Sequence, residues 1–263
     1  MKSVLITGAN GGMGRKTADL FASCGYRVYA LDKTPCEARE NVIPIETDIT
    51  DISSVAAAYE KVLAETDCLC GVIHLAGIYT LDSLAEMPAE VFERTFKVNV
   101  EGAFLVNKTF LPLLEPGARV IIVTSELAVR DPLPFTGIYG ITKMALDKYA
   151  YSLRMELQLI GIKVSVLRAG AVDTGLLGDS TRQLERFCDN TALYSCNAAR
   201  FKAIVERVEA RKIPPEKAAR KLYSVFCKRN PAFAYSVNRN PLLILLDLLP
   251  KRARFYIIRK VLK

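Results

Sequence analysis

The chain has 263 residues, 51% of them hydrophobic and 24% charged, with mean hydropathy +0.17. Those values exclude a disordered chain, and 15 Gly, 12 Pro and 7 Cys exclude collagen-like, low-complexity and disulfide-stapled classes. The net charge of +8 is unevenly placed: residues 182–263 hold 19 Lys+Arg against 6 Asp+Glu, whereas residues 1–181 hold 17 against 22. A basic final third on a mildly acidic body suits an anionic substrate, a lipid surface or nucleic acid, and equally a solvated face with no partner.

Residues 2–7 predict a first strand that runs into Thr7-Gly8. The apolar stretch Val4-Leu5-Ile6 is too short for an export signal, and no run of apolar residues is long enough to span a bilayer. A cytoplasmic location is therefore expected. A helix is predicted over 12–25, a second strand over 26–32 and a third over 42–46. Thr50-Asp51 are cap candidates for a helix over 51–66. Strands follow at 70–75 and 118–124, with helix across 88–113 between them. A long helix covers 137–160, Gly161 is placed to end it, and 162–167 is a sixth strand. Residues 176–230 read as mostly helical, and Phe233 to Val237 as a last strand. This alternation, with near-continuous Val/Ile/Leu strands, predicts one α/β domain over 1–263 around a parallel sheet buried on both faces. Cys68 and Cys70 are too close for zinc spacing, and His74 is the one histidine, so reduced thiols and no metal are expected.

The turn after the first strand, Gly8-Ala9-Asn10-Gly11-Gly12-Met13-Gly14, opens directly onto a helix. Glycine lets the backbone turn tightly and approach a pyrophosphate, which the free N–H groups of a helix N-terminus then hold. Asp32 ends the second strand, where a carboxylate accepts hydrogen bonds from an adenosine ribose and repels a 2′-phosphate. This favours NAD over NADP. Lys33 is a counter-signal, whereas the absence of a basic residue at Gly11 supports NAD again.

Tyr139 and Lys143 lie four apart, on the same face of one predicted helix. A phenol is a poor acid–base at neutral pH, and an adjacent ammonium lowers its pKa by stabilising the phenolate. Ser125 ends the fifth strand, where its hydroxyl can bind a substrate carbonyl oxygen. Asn99 lies among apolar residues in a predicted helix, so its amide needs buried partners. His74 is expected to be a packed or capping residue, because the tyrosine already fills the acid–base role.

On Thr7-Gly8, Gly12, Gly14, Asp32, Asp48, Ala76-Gly77, Asn99, Ser125, Tyr139, Lys143 and Gly170 to Thr174, in that order, the chain resembles the short-chain dehydrogenases/reductases. The match covers roughly residues 2–176 and points to the short single-domain branch, hydroxysteroid-dehydrogenase-like. The resemblance implies a Rossmann-type doubly wound parallel sheet with a helical substrate-loop region and a C-terminal helix. It makes Tyr139 the general acid/base, with Lys143 lowering its pKa and holding the nicotinamide ribose. Ser125 would orient the substrate oxygen, and Asn99 would hold a water linking Lys143 to solvent. Gly8, Asn10, Gly11, Gly12, Met13, Gly14, Asp32, Asp48, Ile49, Ala76, Gly77, Val172 and Thr174 would line the dinucleotide. Asp48 would sit at the adenine amino group and Thr174 at the carboxamide. Three features depart from the family pattern: Leu75 precedes Ala76-Gly77 in place of asparagine, Ala169-Gly170 replaces Pro-Gly, and Gly8, Gly11 and Gly14 also fit the spacing of the longer, epimerase-like branch.

Candidate substrate walls are Leu127, Pro132, Leu133, Pro134, Phe135, Ala171, Leu176 and Leu177, with Ser125 and Tyr139 at the reacting oxygen. Their apolar character suits a lipophilic secondary alcohol or ketone, such as a steroid-like molecule. Arg130, Arg182 and Arg186 are placed to meet a carboxylate at the mouth. The expected function is NAD-dependent alcohol–ketone oxidoreduction, with a dinucleotide-dependent epimerase or dehydratase and a dinucleotide-sensing binding protein as alternatives. Helix 137–160 can pair subunits into a homodimer or homotetramer. Residues 241–263 join an apolar run to a basic one, which suits peripheral membrane contact or a docked terminal helix. No nucleic-acid-binding module is present.

Overall fold

Val4, Leu5 and Ile6 are all 0% exposed, so both faces of the first strand are covered. The computed structural model describes residues 1–209 and 211–263; the side chains at 176–179, 208 and 209 lie outside that description. The elements run β1 (Lys2–Thr7), α1 (Gly12–Ser23), β2 (Tyr26–Asp32), β3 (Val42–Glu46), α2 (Ile52–Leu63), β4 (Leu69–His74), α3 (Ala89–Phe96) and α4 (Gly102–Phe110). They continue with β5 (Leu114–Ser125), α5 (Gly137–Leu157), β6 (Lys163–Ala169), α6 (Gly175–Asn190), α7 (Ser195–Glu209), α8 (Pro215–Phe226), β7 (Ala234–Val237), α9 (Pro241–Asp247) and α10 (Lys251–Leu262).

The strands form one parallel sheet in the order β3-β2-β1-β4-β5-β6-β7. From β1 the chain winds outward to β3, then crosses back to β4 and winds the other way. The reversal between β1 and β4 leaves a crevice beyond the carboxyl ends of those strands. Thr7 pairs with both Leu31 and His74, so the turn after β1, the end of β2 and the loop after β4 meet there. Farther along, Ser125 pairs with Ala169.

Alternation along each strand sends side chains to two cores. Leu5, Val72, Ile122 and Val164 pack with Val55, Val106 and Leu146 of α2, α4 and α5. Val4, Ile6, Ile73 and Leu167 pack with Phe21 of α1 and Leu222 and Phe226 of α8. A third, smaller cluster joins Leu81, Phe135, Leu184, Phe187 and Phe201 beneath α6 and α7. Asp51 caps α2 by accepting from the Ser53 N–H at 2.9 Å, and Gly161 takes φ +80° after the last turn of the long helix.

The helix expected over 88–113 is divided. Between α3 and α4 the chain forms a π turn, Lys97–Glu101, and after α4 a 3-10 turn, Leu111–Leu113, and β5 begins at Leu114, four residues earlier than expected. The wide turn gives Asn99 buried partners outside its own helix. The terminal segment is two helices rather than one, joined through Pro250. Among the described residues, no helix is long and apolar enough to cross a membrane.

Candidate active site

A cavity of about 640 Å³ fills the crevice, lined by the glycine turn, Asp32, Lys33, Asp48, Ile49, Ala76, Gly77 and Thr174. The turn is built on contacts that only glycine permits. Gly8 has φ +67°, and a Cβ there would stand 2.5 Å from the Ala76 backbone nitrogen. A Cβ on Gly14 would stand 1.9 Å from the Gly8 carbonyl oxygen. No side chain caps α1, so its N-terminus faces the cavity with backbone N–H groups. A cradle of backbone and glycine fits a pyrophosphate.

Asp32 anchors the turn. Its Oδ2 accepts the Asn10 N–H at 2.9 Å and its Oδ1 the Thr34 N–H at 3.1 Å, leaving lone pairs toward the cavity. Lys33 is turned away from that carboxylate and bonded to Asp48 Oδ2 at 2.7 Å. Asp48 Oδ1 also accepts from the Thr50 N–H and hydroxyl, at 2.9 and 2.7 Å. The Lys33 hydrogen bond, with help from Thr50, holds the Asp48 carboxyl down at about 2. Asp48 thus lines the cavity with its oxygens already engaged.

Beside this cleft, Ser125, Tyr139 and Lys143 share a cavity of about 180 Å³ with Met13, Leu127, Ala171, Val172 and Thr174. Gly77, Met13 and Thr174 line both cavities and join them. Burial pushes the Tyr139 phenol up to about 12, against the lowering effect of its hydrogen bond with Ser125. The Lys143 ammonium sits 5.8 Å from the tyrosine ring centre and donates to the Val123 carbonyl at 3.4 Å. Burial pulls Lys143 itself down to about 8. Ser125 Oγ also accepts the Leu127 N–H at 3.2 Å.

Asn99 is held from three directions. Its Oδ1 accepts the Ile78 N–H at 2.8 Å, and its Nδ2 donates to the Ile78 carbonyl and to Thr142 Oγ1, both at 3.0 Å. A Cβ on Gly77 would lie 3.1 Å from Asn99 Oδ1 and 3.2 Å from Lys143 Nζ, so this glycine lets the two groups approach the loop after β4. His74 is packed as expected: its Nε2 shares a 2.9 Å bond with Asn107, and burial lowers it to about 4.

Several expected wall residues sit elsewhere. Phe135, at φ +61°, turns into the third core cluster, its ring centre 4.6 Å from that of Phe187, and does not line the cavity that holds Ser125 and Tyr139. Arg130 is 5% exposed and ion-paired with Asp247 and Glu126, so it fastens α9 rather than meeting a substrate. Arg186 lines a neighbouring cavity of about 620 Å³ with Tyr79, Arg94 and Gln183, while Arg182 lies on the exposed side of α6. Leu176 and Leu177 lie outside the described side chains.

Other residues at the site escaped sequence reasoning. Tyr79 packs on Tyr139 with ring centres 4.8 Å apart, Thr142 supports Asn99, and Leu243 of α9 lines the cavity that holds Ser125 and Tyr139. Glu126, buried beside Ser125, accepts the Asn240 N–H at 2.8 Å. A charged residue directly after a buried strand was the available signal for Glu126; Leu243 carried none.

A family model described as short chain dehydrogenase matches residues 2–185. The chain is 27% identical over 235 residues to a 3-ketodihydrosphingosine reductase of Bacteroides thetaiotaomicron, covering 89% of this chain and 87% of that one. Among solved structures, a Brucella melitensis 3-ketoacyl-(acyl-carrier-protein) reductase complexed with NADH aligns with TM-score 0.72 at 23% identity, over 90% of this chain and 96% of that one. A Burkholderia cenocepacia short chain dehydrogenase in complex with NADP aligns with TM-score 0.75 at 20% identity, over all of both chains.

Proposed function

This chain belongs to the short-chain dehydrogenase family, and from that premise we propose that it is an NAD(H)-dependent oxidoreductase interconverting a lipophilic secondary alcohol and its ketone. The observation that carries the reading is that Ser125, Tyr139 and Lys143 line one cavity, which shares Gly77, Met13 and Thr174 with the dinucleotide cleft. A bound nicotinamide supplies or accepts the hydride.

The chain's own groups handle the proton and the substrate oxygen. The Ser125 and Tyr139 hydroxyls hold that oxygen by hydrogen bonds. In reduction the Tyr139 proton passes to it as the alcohol forms, and in oxidation the phenolate takes it back. The Lys143 ammonium, 5.8 Å from the Tyr139 ring centre, is the cation that would stabilise the phenolate when the proton leaves. Asn99, pinned by Ile78 and Thr142, fixes the loop against which Lys143 rests. The N-terminus of α1 and its glycines would hold the pyrophosphate.

The preference for NAD rests on Asp32, whose pinned carboxylate would meet a 2′-phosphate as a like charge. Lys33, the cation that would favour NADP, is engaged by Asp48. Leu127, Ala171, Val172 and Leu243 make the cavity wall apolar, which suits a lipophilic substrate such as a steroid. The substrate named for the Bacteroides relative, a ketone, agrees with that class. Assembly as a homodimer or homotetramer belongs to the same reading, supported by exposed Phe104 on α4 and Tyr151 and Met155 on α5. The test is turnover read at the nicotinamide absorbance, with NADH or NADPH, against hydroxysteroids, long-chain ketones, short alcohols and sugars. Activity on the lipophilic ketones with NADH is expected; activity confined to sugars would overturn the reading.

A further inference from the structure

We infer that α9 and α10 form a two-faced docking element, whose inner face closes the catalytic cavity and whose outer face lies on an anionic lipid bilayer. The inner face is fixed by specific bonds. Leu243 lines the cavity that holds Ser125 and Tyr139. On either side of it the Asn240 N–H donates to Glu126 and Asp247 pairs with buried Arg130. Arg254 ties α10 to Asp131 at 2.8 Å and to Asp247 at 3.8 Å, and Asn197 donates to the Leu262 carbonyl at 2.7 Å.

The outer face has the opposite character. Leu242, Leu245 and Leu248, three residues apart on α9 and its end, are 60%, 60% and 76% exposed. On α10, Phe255 and Tyr256 are 70% and 64% exposed. Lys251, Arg252, Arg259, Lys260 and Lys263 are exposed beside them. The one acidic side chain of residues 241–263, Asp247, is engaged by Arg130 and Arg254. Lys251 also reaches Asp131 at 4.0 Å, so what remains outside is apolar surface with Arg252, Arg259, Lys260 and Lys263.

A face meant for water has no reason to expose three leucines in register. A second copy packed through the same face would set like charges together, whereas an anionic bilayer supplies both apolar depth and negative charge. The element resting on the bilayer also walls the cavity, so docking brings the substrate mouth beside the lipid phase. That consequence rests on the oxidoreductase reading; the docking itself does not.

The experiment uses the full chain with vesicles of phosphatidylcholine alone or mixed with phosphatidylglycerol. Flotation with the phosphatidylglycerol vesicles, and little with phosphatidylcholine, is expected. Arg259→Glu with Lys260→Glu, both exposed, should weaken binding roughly tenfold or more, since each basic residue near an anionic surface contributes on the order of 1 kcal/mol. The chain has no tryptophan, so Leu245→Trp provides a single emission probe. Its emission should shift to the blue on phosphatidylglycerol vesicles, while Leu159→Trp, just past the far end of α5, should not shift. No flotation, equal flotation on both vesicles, or an unshifted Leu245→Trp would overturn the inference. So would a solution mass that halves on Leu245→Gln with Leu248→Gln, because a second copy would then cover the face. Thermal melting verifies that each variant folds. Vesicle binding is read without turnover, so failure of the proposed chemistry leaves this result standing, and the reverse also holds.

Discussion

Asn99 Nδ2 donates to Thr142 Oγ1 over 3.0 Å, tying the π turn to α5 at the residue before Lys143. Thr142→Val keeps the shape and removes the acceptor, leaving Asn99 Nδ2 with the Ile78 carbonyl alone. Loss of about 1 kcal/mol is expected in urea unfolding. A lower kcat at unchanged KM should accompany it, and Thr142→Ser should restore both.

Tyr139 and Lys143 set opposite limits on pH. Burial holds the phenol protonated up to about 12, so it remains a donor across the working range. Burial lowers Lys143 from 10.5 to about 8, so its cation is present below that pH and lost above it. Ketone reduction should therefore decline as pH rises through about 8. Tyr139→Phe should lower kcat by about 10²–10⁴-fold, the range for losing a general acid, with dinucleotide affinity little changed. A pH–rate profile flat to pH 10 would count against the ammonium.

Asp32 should decide the cofactor. Asp32→Ser removes the like charge that opposes a 2′-phosphate. It should move the ratio of kcat/KM for NADPH over NADH upward by about tenfold or more, the equivalent of about 1.4 kcal/mol. Isothermal calorimetry with each dinucleotide reads the same change without turnover.

Two glycines separate close contact from backbone strain. At Gly14 a Cβ would meet the Gly8 carbonyl at 1.9 Å, so Gly14→Ala must displace the phosphate turn, at a cost of about 3 kcal/mol, and should abolish dinucleotide binding. At Gly25, φ +82°, nothing lies within 4 Å, so Gly25→Ala should cost about 1 kcal/mol of backbone strain and leave binding intact. Chemical denaturation and calorimetry measure both.

His74 links folding to acid. Its pKa falls from 6.5 to about 4 on folding because burial disfavours the imidazolium. The unfolded chain therefore binds the extra proton between those values, and stability should fall as pH drops through this window, by about 3 kcal/mol in all. His74→Gln cannot titrate and should show a flatter acid limb in urea melts.

The glycine turn, Asp32 and the Tyr139–Lys143 spacing were legible because each is a local demand. A tight turn needs glycine, a strand end presents one carboxylate, and a four-residue interval sets two side chains on one helix face. The order of strands and helices was legible for the same reason, since burial on two faces writes itself into Val/Ile/Leu runs.

Tertiary structure alone decided what closes the cavity. Leu243 reaches it because Asn240 bonds Glu126, 114 positions away, and Asp247 pairs with Arg130, 117 positions away. It sent Phe135 into the third cluster, made Arg130 an anchor, and opened a π turn that frees Asn99 for Ile78 and Thr142. It also raised the Tyr139 phenol, since burial acts on a group through everything packed around it. Spacing records which groups share a face; the desolvation they meet and the distant partners they find depend on how the whole chain packs.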